Sequence, residues 1–183
     1  MPVYHSTDEV ASAISPKGLQ VIAIDGFQAS GKTTLARSLA AHWNLNIISA
    51  DDFLHRNQGG FFANLKLKEL SDHLRKANTP YIFEGLCALQ ILDAVKVQPD
   101  LMIYVKRMTD HGWADGMALD TYMPSSDDCV LPTQNFVEPL DLMKVILRTL
   151  WEEVAHYHKS YQPHKNASIF FERYAASISP LEQ

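Results

Sequence analysis

The chain has 183 residues, enough to bury a core, and its 46% hydrophobic and 20% charged content is that of a globular protein. A net charge of −5 without a block of Lys and Arg argues against nucleic-acid binding. No apolar run approaches the roughly 18 residues of a membrane span, so we expect no membrane association. Residues 1–183 are therefore predicted to form a single domain.

The N-terminus lacks the basic start and the apolar stretch of a secretory signal. Two cysteines, Cys87 and Cys129, are too few for a disulfide framework or a thiolate zinc site. Both features predict a cytoplasmic protein with reduced thiols.

Residues 1–18 are predicted to form a helical lead-in, because Ser6 and Glu9 fit a capping box ahead of a short helix that reaches Ile14. The apolar run LQVIAID that follows suits a strand buried on both faces of a parallel sheet. Strands and helices are predicted to alternate along the rest of the chain, which favours right-handed crossovers and a doubly wound α/β sheet. These elements are a helix from about Lys32 to Trp43, a strand at Leu45–Ser49, a helix at Asn64–Ala77, strands at Tyr81–Gly85 and Leu101–Val105, an irregular segment at 106–139, a helix at Leu140–His158 and a strand at Ala167–Glu172.

The segment Gly26–Thr33 reads GFQASGKT and matches the pattern G-x-x-x-x-G-K-S/T between a predicted strand and a predicted helix. Gly26 and Gly31 allow backbone torsions closed to other residues, so that N–H groups can turn inward on phosphate oxygens, and the helix start adds positive partial charge. Lys32 would bridge the β- and γ-phosphates of a nucleotide, and the Thr33 hydroxyl would ligate Mg²⁺. The predicted nucleotide-binding residues are Gly26, Phe27, Gln28, Ala29, Ser30, Gly31, Lys32, Thr33 and Thr34.

Acidic residues follow the next two predicted strands. Asp51 and Asp52 come after the strand at Leu45–Ser49, and Glu84 ends the strand at Tyr81–Gly85. Ligands of such sheets lie outside the carboxyl ends of the strands, where one carboxylate can hold Mg²⁺ and another can accept a proton from an attacking hydroxyl. An N-cap or a turn pair is the alternative interpretation of the two aspartates.

These segments resemble the uridine kinase, phosphoribulokinase and pantothenate kinase group of P-loop small-molecule kinases. The matching pieces are, in order, IAIDGFQASGKTTLARSLA, ISADDFLHR, YIFEGLCAL, PDLMIYV and YQPHKNASIFFER. The resemblance implies a P-loop NTPase three-layer fold, with a five-stranded parallel sheet and helices on both faces. It also implies a kinase that uses ATP and Mg²⁺ to phosphorylate a hydroxyl of a small metabolite, nucleoside- or vitamin-like.

The resemblance assigns roles to individual acids. It makes Asp51 the base for the acceptor hydroxyl and Glu84 a carboxylate on the Mg²⁺ side, while Asp52 receives no role. Two segments depart from the family pattern. Between Arg56 and Lys66 the sequence NQGGFFANL replaces a longer acceptor-binding insertion, so the identity of the acceptor does not carry over.

The second departure lies in the segment that corresponds to the family's lid, which normally carries several arginines. Here Lys106 and Arg107 are its only Lys or Arg residues, so Arg107 is the predicted lid cation, with Arg148 and Arg173 as alternatives. Lys106 and Arg107 could also be a solvated strand end. An arginine-poor lid keeps open a second function, that of a nucleotide-binding ATPase or a degenerate kinase with weak or no phosphoryl transfer. The sequence also leaves open whether the chain forms a homo-oligomer.

Overall fold

A computed structural model describes residues 1–55, 61–116 and 139–174 of the chain, with side chains from residue 150 onward in the last range. The strands are β1 (Val3–Tyr4), β2 (Val21–Gly26), β3 (Asn46–Ser49), β4 (Tyr81–Glu84), β5 (Leu101–Thr109), β6 (Gly112–Trp113) and β7 (Ile169–Tyr174). The helices are α1 (Thr7–Ala13), α2 (Lys32–Trp43), α3 (Leu67–Lys76), α4 (Ala88–Ala94), α5 (Pro139–Tyr161) and α6 (Pro163–Asn166). Two short 3₁₀ turns cover Ala50–Phe53 and Phe62–Asn64.

Strand β2 is the centre of a parallel sheet with the order β1-β7-β5-β2-β4-β3. All six of its residues are buried, as expected for an apolar strand covered on both faces. The ladders align Ile24 with Glu84 of β4, and Gly26 with Val105 of β5. The carboxyl ends of these strands therefore meet at one edge of the sheet, and that edge positions the candidate site.

Helices cover both faces of the sheet, so the predicted α/β fold with helices on both faces is confirmed. Successive β2 residues point to opposite faces, which divides the core into two clusters. The cluster beneath α1 and α2 includes Val10, Ile22, Ile24, Leu35, Leu39 and Phe171. The cluster beneath α3, α4 and α5 includes Ala23, Leu70, Phe83, Ile91, Tyr104 and Tyr157. Within the described ranges, no helix has both the length and the apolar character needed to cross a membrane.

The prediction of five strands is wrong, because the described residues already form a sheet of seven. Strand β1 lies inside the segment 1–18 that was predicted as a helical lead-in, and its two residues pair with Phe170 and Phe171 of β7. Strand β5 continues to Thr109 and turns back into the antiparallel β6. A strand of two residues gains its conformation from its partner and is too short to show a periodic pattern. The first residues of the segment 106–139 are thus strand and turn, whereas residues 117–138 of that segment lie outside the described residues.

Candidate active site

The loop Gly26–Thr33 joins β2 to α2 through a strongly turned backbone. Gly26 and Gly31 have φ values of 148° and 104°, which side chains rarely tolerate. A Cβ at Gly26 would lie 2.4 Å from the Val105 carbonyl oxygen, so the close approach of β5 also requires glycine. The loop therefore packs tightly against the sheet before α2 begins at Lys32. Such a backbone at a helix N-terminus is the cradle that a phosphate group fits.

Two side chains of this loop are buried within it. The Ser30 hydroxyl is inaccessible and has no hydrogen-bond partner among the described residues. Lys32 is 8% exposed, and its ammonium donates a hydrogen bond of 2.7 Å to the Phe27 carbonyl. Burial lowers the pKa of Lys32, although the nearby carboxylates of Asp25 and Glu84 act in the opposite direction. The ammonium is thus held at the inner side of the loop, beside acids that favour its charged form.

Glu84 connects the loop Gly26–Thr33, which we call the phosphate loop, with the end of β3. Its side chain is 2% exposed and accepts two hydrogen bonds, one from the Thr33 hydroxyl at 3.1 Å and one from the Ser49 hydroxyl at 2.6 Å. The register of β3 and β4 pairs Ser49 with Glu84, which explains the second bond. Sequence reasoning missed Ser49, since only strand pairing shows that it faces the acid.

Asp51 lies in the turn Ala50–Phe53 that follows β3. The cavity walls around it partly desolvate its carboxylate and raise its pKa, and the negative charge of Glu84 raises the pKa further. The charge of Lys32 partly opposes this shift. A carboxylate with a raised pKa is a better proton acceptor than an ordinary aspartate. Asp51 and Asp52 are both exposed to solvent, but only Asp51 lines the cavity.

One cavity of about 330 Å³ brings the predicted site residues together. Its polar lining comes from the phosphate loop and from the ends of β3 and β4, and its apolar lining comes from the segments around them and from α5. The polar lining residues are Gln28, Lys32, Thr33, Asp51 and Glu84, and the large apolar ones are Leu54, Phe61, Leu86 and Leu150. The Glu153 carboxylate of α5 accepts hydrogen bonds from the backbone N–H groups of Phe61 and Phe62, at 2.5 and 3.3 Å. These bonds connect the cavity-lining segment around Phe61 to α5.

A buried polar pair lies behind the loop. Asp25 is fully buried and accepts hydrogen bonds from the Gly26 N–H at 2.6 Å and from the Tyr157 hydroxyl. Burial raises the pKa of Asp25 to about 6, although the bonds from Tyr157 and Gly26 and the charge of Lys32 lower it. Sequence reasoning treated Tyr157 as a core residue, and the polar partner of its hydroxyl was missed.

His158 packs against the loop from the same side. Its ring stacks on Phe27, with ring centroids 4.4 Å apart. Nδ1 lies 2.7 Å from the Val154 carbonyl, which can only accept, so Nδ1 carries the proton and Nε2 accepts from the Tyr104 hydroxyl at 2.9 Å. Burial lowers the pKa of His158 to about 4, so the ring is neutral at physiological pH.

The predicted lid cation, Arg107, lies in β5 and is bound to an acid. Its Nη2 is 2.6 Å from the Asp115 carboxylate, which is 4% exposed. Arg107 does not line the cavity described above. Arg148 belongs to the part of α5 described by its backbone alone, and Arg173 lies in β7 beside the phosphate loop. Thr34 is exposed in the first turn of α2.

A central parallel strand, a glycine-bearing loop that leads into a helix, and acids at the ends of β4 and β3 on one side of that strand together define a P-loop fold. No protein-family model matches the chain, and no curated protein matches it. A solved structure of a possible uridine kinase from Bacillus stearothermophilus shares the fold, with a TM-score of 0.53 and 16% sequence identity. The match covers 90% of this chain and 96% of that one. At that identity, the similarity shows the fold alone.

Proposed function

We propose that the protein is an ATP-dependent kinase that transfers the γ-phosphate to a hydroxyl of a small metabolite, nucleoside- or vitamin-like. The observation that carries the proposal is one cavity shared by the Lys-Thr pair of the phosphate loop and the acids of two neighbouring strand ends. A protein that only held a nucleotide would not need a second carboxylate on the open side of that cavity.

Bound Mg·ATP would supply the phosphoryl group and the cation that neutralises its charge. Lys32 would hold the β- and γ-phosphates, exchanging its bond to the loop carbonyl for bonds to phosphate oxygens. The Thr33 hydroxyl and the Glu84 carboxylate, already 3.1 Å apart, are the oxygen ligands that Mg²⁺ prefers. Ser49 would orient Glu84 from behind, as partners of metal ligands commonly do.

Asp51 would accept the proton that the acceptor hydroxyl loses. Its raised pKa suits this role, and its place on the cavity wall lets an acceptor reach both Asp51 and the loop. The apolar residues Leu54, Phe61 and Leu86 line the same cavity and would contact the body of the acceptor. A cavity of about 330 Å³ lies within the range of small-molecule sites.

The test is a product screen with Mg·ATP against nucleosides, pantothenate-like compounds and sugar alcohols. We expect an acceptor that gains one phosphoryl group, detected by mass spectrometry, with equimolar ADP. Asp51→Asn should lower the rate of formation of that product by about 10²- to 10⁴-fold while ATP binding persists, and Asp52→Asn serves as the matched control.

A second function is favoured by the ion pair that occupies Arg107. A nucleotide-binding ATPase or degenerate kinase would need no cation over the transferred group. ATP binding with no phosphorylated product across the whole panel would support it, as would ADP formation at the same rate with and without acceptors. Either result would contradict the kinase proposal.

A further inference from the structure

One carboxylate of α5 holds a part of the cavity wall, residues 61–65, which we call the wall segment. A single oxygen of Glu153, Oε2, accepts from the Phe61 N–H at 2.5 Å and from the Phe62 N–H at 3.3 Å. These two donors lie at the start of the 3₁₀ turn Phe62–Asn64, where backbone N–H groups have no partner within the turn. Because hydrogen bonds to a carboxylate are stronger than those between neutral groups, Glu153 is a firm attachment for this end of the segment.

The opposite end of the wall segment is attached to the turn that follows β3. The His55 N–H donates to the Asn64 carbonyl at 2.9 Å, and Leu54 and Leu65 form an antiparallel bridge. Asp51 belongs to the turn that leads into this bridge. The wall segment therefore has two attachments, one to the turn that carries the proposed base and one to α5.

Helix α5 is itself held behind the phosphate loop. Tyr157, one turn after Glu153, donates a hydrogen bond to the buried Asp25 carboxylate near the end of β2. Leu150, one turn before Glu153, lines the cavity from the same face of the helix. Helix α5 thus reaches from the support of the phosphate loop to the wall segment, and Glu153 is the residue through which it holds that segment.

The side chain that this attachment places is Phe61. It is 6% exposed and lines the cavity together with Leu54. Under the proposed function these two side chains contact the body of the acceptor, whereas Asp51 receives the proton. The position of Asp51 depends on β3, which Glu153 does not touch. Loss of the two Glu153 bonds would therefore affect the binding of the acceptor body and leave the proton acceptor in place.

We propose that Glu153 is a positioning residue for the acceptor, in that it holds the wall segment against α5 so that Phe61 and Leu54 form one surface; this inference rests on the proposed function. Glu153 does not line the cavity, so it acts through the backbone of Phe61 and not by touching a ligand. The part of the acceptor that depends on Glu153 is its apolar body, and not the hydroxyl that is phosphorylated.

Three substitutions of Glu153 separate the bonds from the charge. Glu153→Ala removes both bonds, and Glu153→Asp keeps the charge but withdraws it by one methylene. Glu153→Gln keeps the length, and its amide oxygen has two lone pairs for the two N–H groups that Oε2 now accepts. Glu152→Ala is the matched control, because it removes the adjacent carboxylate of α5, which is exposed and does not line the cavity. Thermal unfolding shows which variants are folded, and Glu153→Asp replaces Glu153→Ala in every comparison if the latter is not.

Amide hydrogen exchange of the full chain without ligand tests the attachment alone. Glu153→Ala should speed up exchange of the Phe61 and Phe62 amides about tenfold or more, because they lose their acceptor, while the amides of β2 exchange as in the wild type. Glu153→Gln should retain most of the protection. Unchanged exchange at Phe61 and Phe62 in Glu153→Ala would show that the bonds do not hold the wall segment, and would overturn the inference.

Steady-state kinetics test the effect on the acceptor, with Mg·ATP and whichever nucleoside, pantothenate-like compound or sugar alcohol the wild type phosphorylates fastest. We expect Glu153→Ala to raise KM for that compound about tenfold, with kcat and the calorimetric affinity for ATP within about twofold of the wild type, because uniform binding of the acceptor body is lost. Glu153→Gln should restore most of the wild-type KM, and Glu152→Ala should match the wild type throughout.

The remaining outcomes contradict the inference in distinguishable ways. An unchanged KM in Glu153→Ala would overturn it and leave the kinase proposal intact. An equal loss of acceptor and ATP affinity would also overturn it, since Glu153 would then support the whole site. If the wild type phosphorylates none of the compounds, the kinase proposal fails and the role of Glu153 fails with it, whatever the hydrogen exchange shows.

Discussion

The Tyr157 hydroxyl donates a hydrogen bond to the fully buried carboxylate of Asp25, and this bond ties α5 to the end of the central strand. The same hydroxyl accepts a bond of 3.3 Å from the Leu89 N–H of α4. Asp25 in turn holds the first N–H of the phosphate loop, that of Gly26. The loop is therefore supported from behind by two helices through one polar pair.

Tyr157→Phe should destabilise the protein by about 1–3 kcal/mol, because it removes one hydrogen bond from the buried Asp25 carboxylate and another from the Leu89 N–H. Urea unfolding followed by circular dichroism measures the difference. Tyr161→Phe is the matched control, since that hydroxyl bonds the exposed Asp93 at 3.1 Å, and its loss should cost less than about 1 kcal/mol. Equal effects of the two substitutions would contradict a special role for the buried pair.

The raised pKa of Asp25 predicts a pH dependence of stability. Burial raises this pKa from 3.8 to about 6, so the folded protein binds a proton that the unfolded chain has already lost. The free energy of unfolding should therefore fall as pH rises from about 4 to 6, by up to roughly 3 kcal/mol, and level off above that window.

Asp25→Asn should flatten this slope, because the amide does not titrate. Asp72→Asn, which removes an exposed carboxylate on α3, should leave the slope unchanged. Denaturant unfolding at several pH values between 4 and 7 provides the comparison. A slope that persists in Asp25→Asn would assign the proton to another group.

Long or strongly patterned elements were predictable from the sequence. Helix α2 has the predicted bounds, and the buried run of β2 was recognised because it is apolar from Val21 to Ile24. Strand β1 and helix α4 were not predicted, since two residues and seven residues are too short for a clear period. The remaining differences at element ends arise where tertiary pairing extends a strand, as in β5.

The candidate site divides in the same way. Local motifs identified the phosphate loop, Asp51 and Glu84, whose positions depend on the order of strand, turn and helix. The partners of these groups come from distant segments: Ser49 through strand register, and Tyr157 and His158 through the packing of α5. A local sequence motif contains no information about such contacts. For this reason the ion pair between Arg107 and Asp115 could not be predicted from the sequence.

Glu84→Gln should weaken the Mg²⁺ dependence of ATP binding. Glutamine keeps the size of the side chain, and its one amide oxygen can still accept from either Thr33 or Ser49, but it removes the negative charge that would hold the cation. We expect the apparent affinity for Mg²⁺ to fall by about 10- to 100-fold in a magnesium titration at fixed ATP. Ser49→Ala should have a smaller effect in the same direction, and an unchanged titration in Glu84→Gln would remove Glu84 from the Mg²⁺ site.

Gly31→Ala should abolish nucleotide binding and destabilise the chain. Alanine would have to adopt the positive φ of Gly31, which costs an L-residue about 1–2 kcal/mol of conformational free energy. Its methyl group would also lie only 2.8 Å from Cδ of Arg173. Gly18→Ala is the matched control, because φ there is also positive, at 89°, but nothing lies within 4 Å of the added carbon. Both variants should lose thermal stability, whereas only Gly31→Ala should lose the stabilisation that ATP gives the wild type.

Asp51→Asn should lower kcat for the acceptor by about 10²- to 10⁴-fold while the affinity for ATP is retained, because the amide cannot take the proton. In the wild type, kcat/KM should rise with pH through a pKa above that of an ordinary aspartate, since desolvation and the charge of Glu84 hold this pKa up. Protonation at lower pH removes the acceptor of the proton, so activity falls on the acid side.

Asp52→Asn separates this role from a general loss of negative charge at the turn. Asp52 is adjacent in sequence and does not line the cavity, so kcat of Asp52→Asn at neutral pH should match that of the wild type. Because the charge of Asp52 raises the pKa of Asp51, its loss should only move the acid limb of the pH profile toward lower pH. Steady-state rates across pH for both variants, with the acceptor from the product screen, provide the measurement. Full turnover by Asp51→Asn would show that the hydroxyl transfers its proton to another group. The other carboxylate among the described residues that line the cavity is that of Glu84, whose two oxygens accept hydrogen bonds from Thr33 and Ser49.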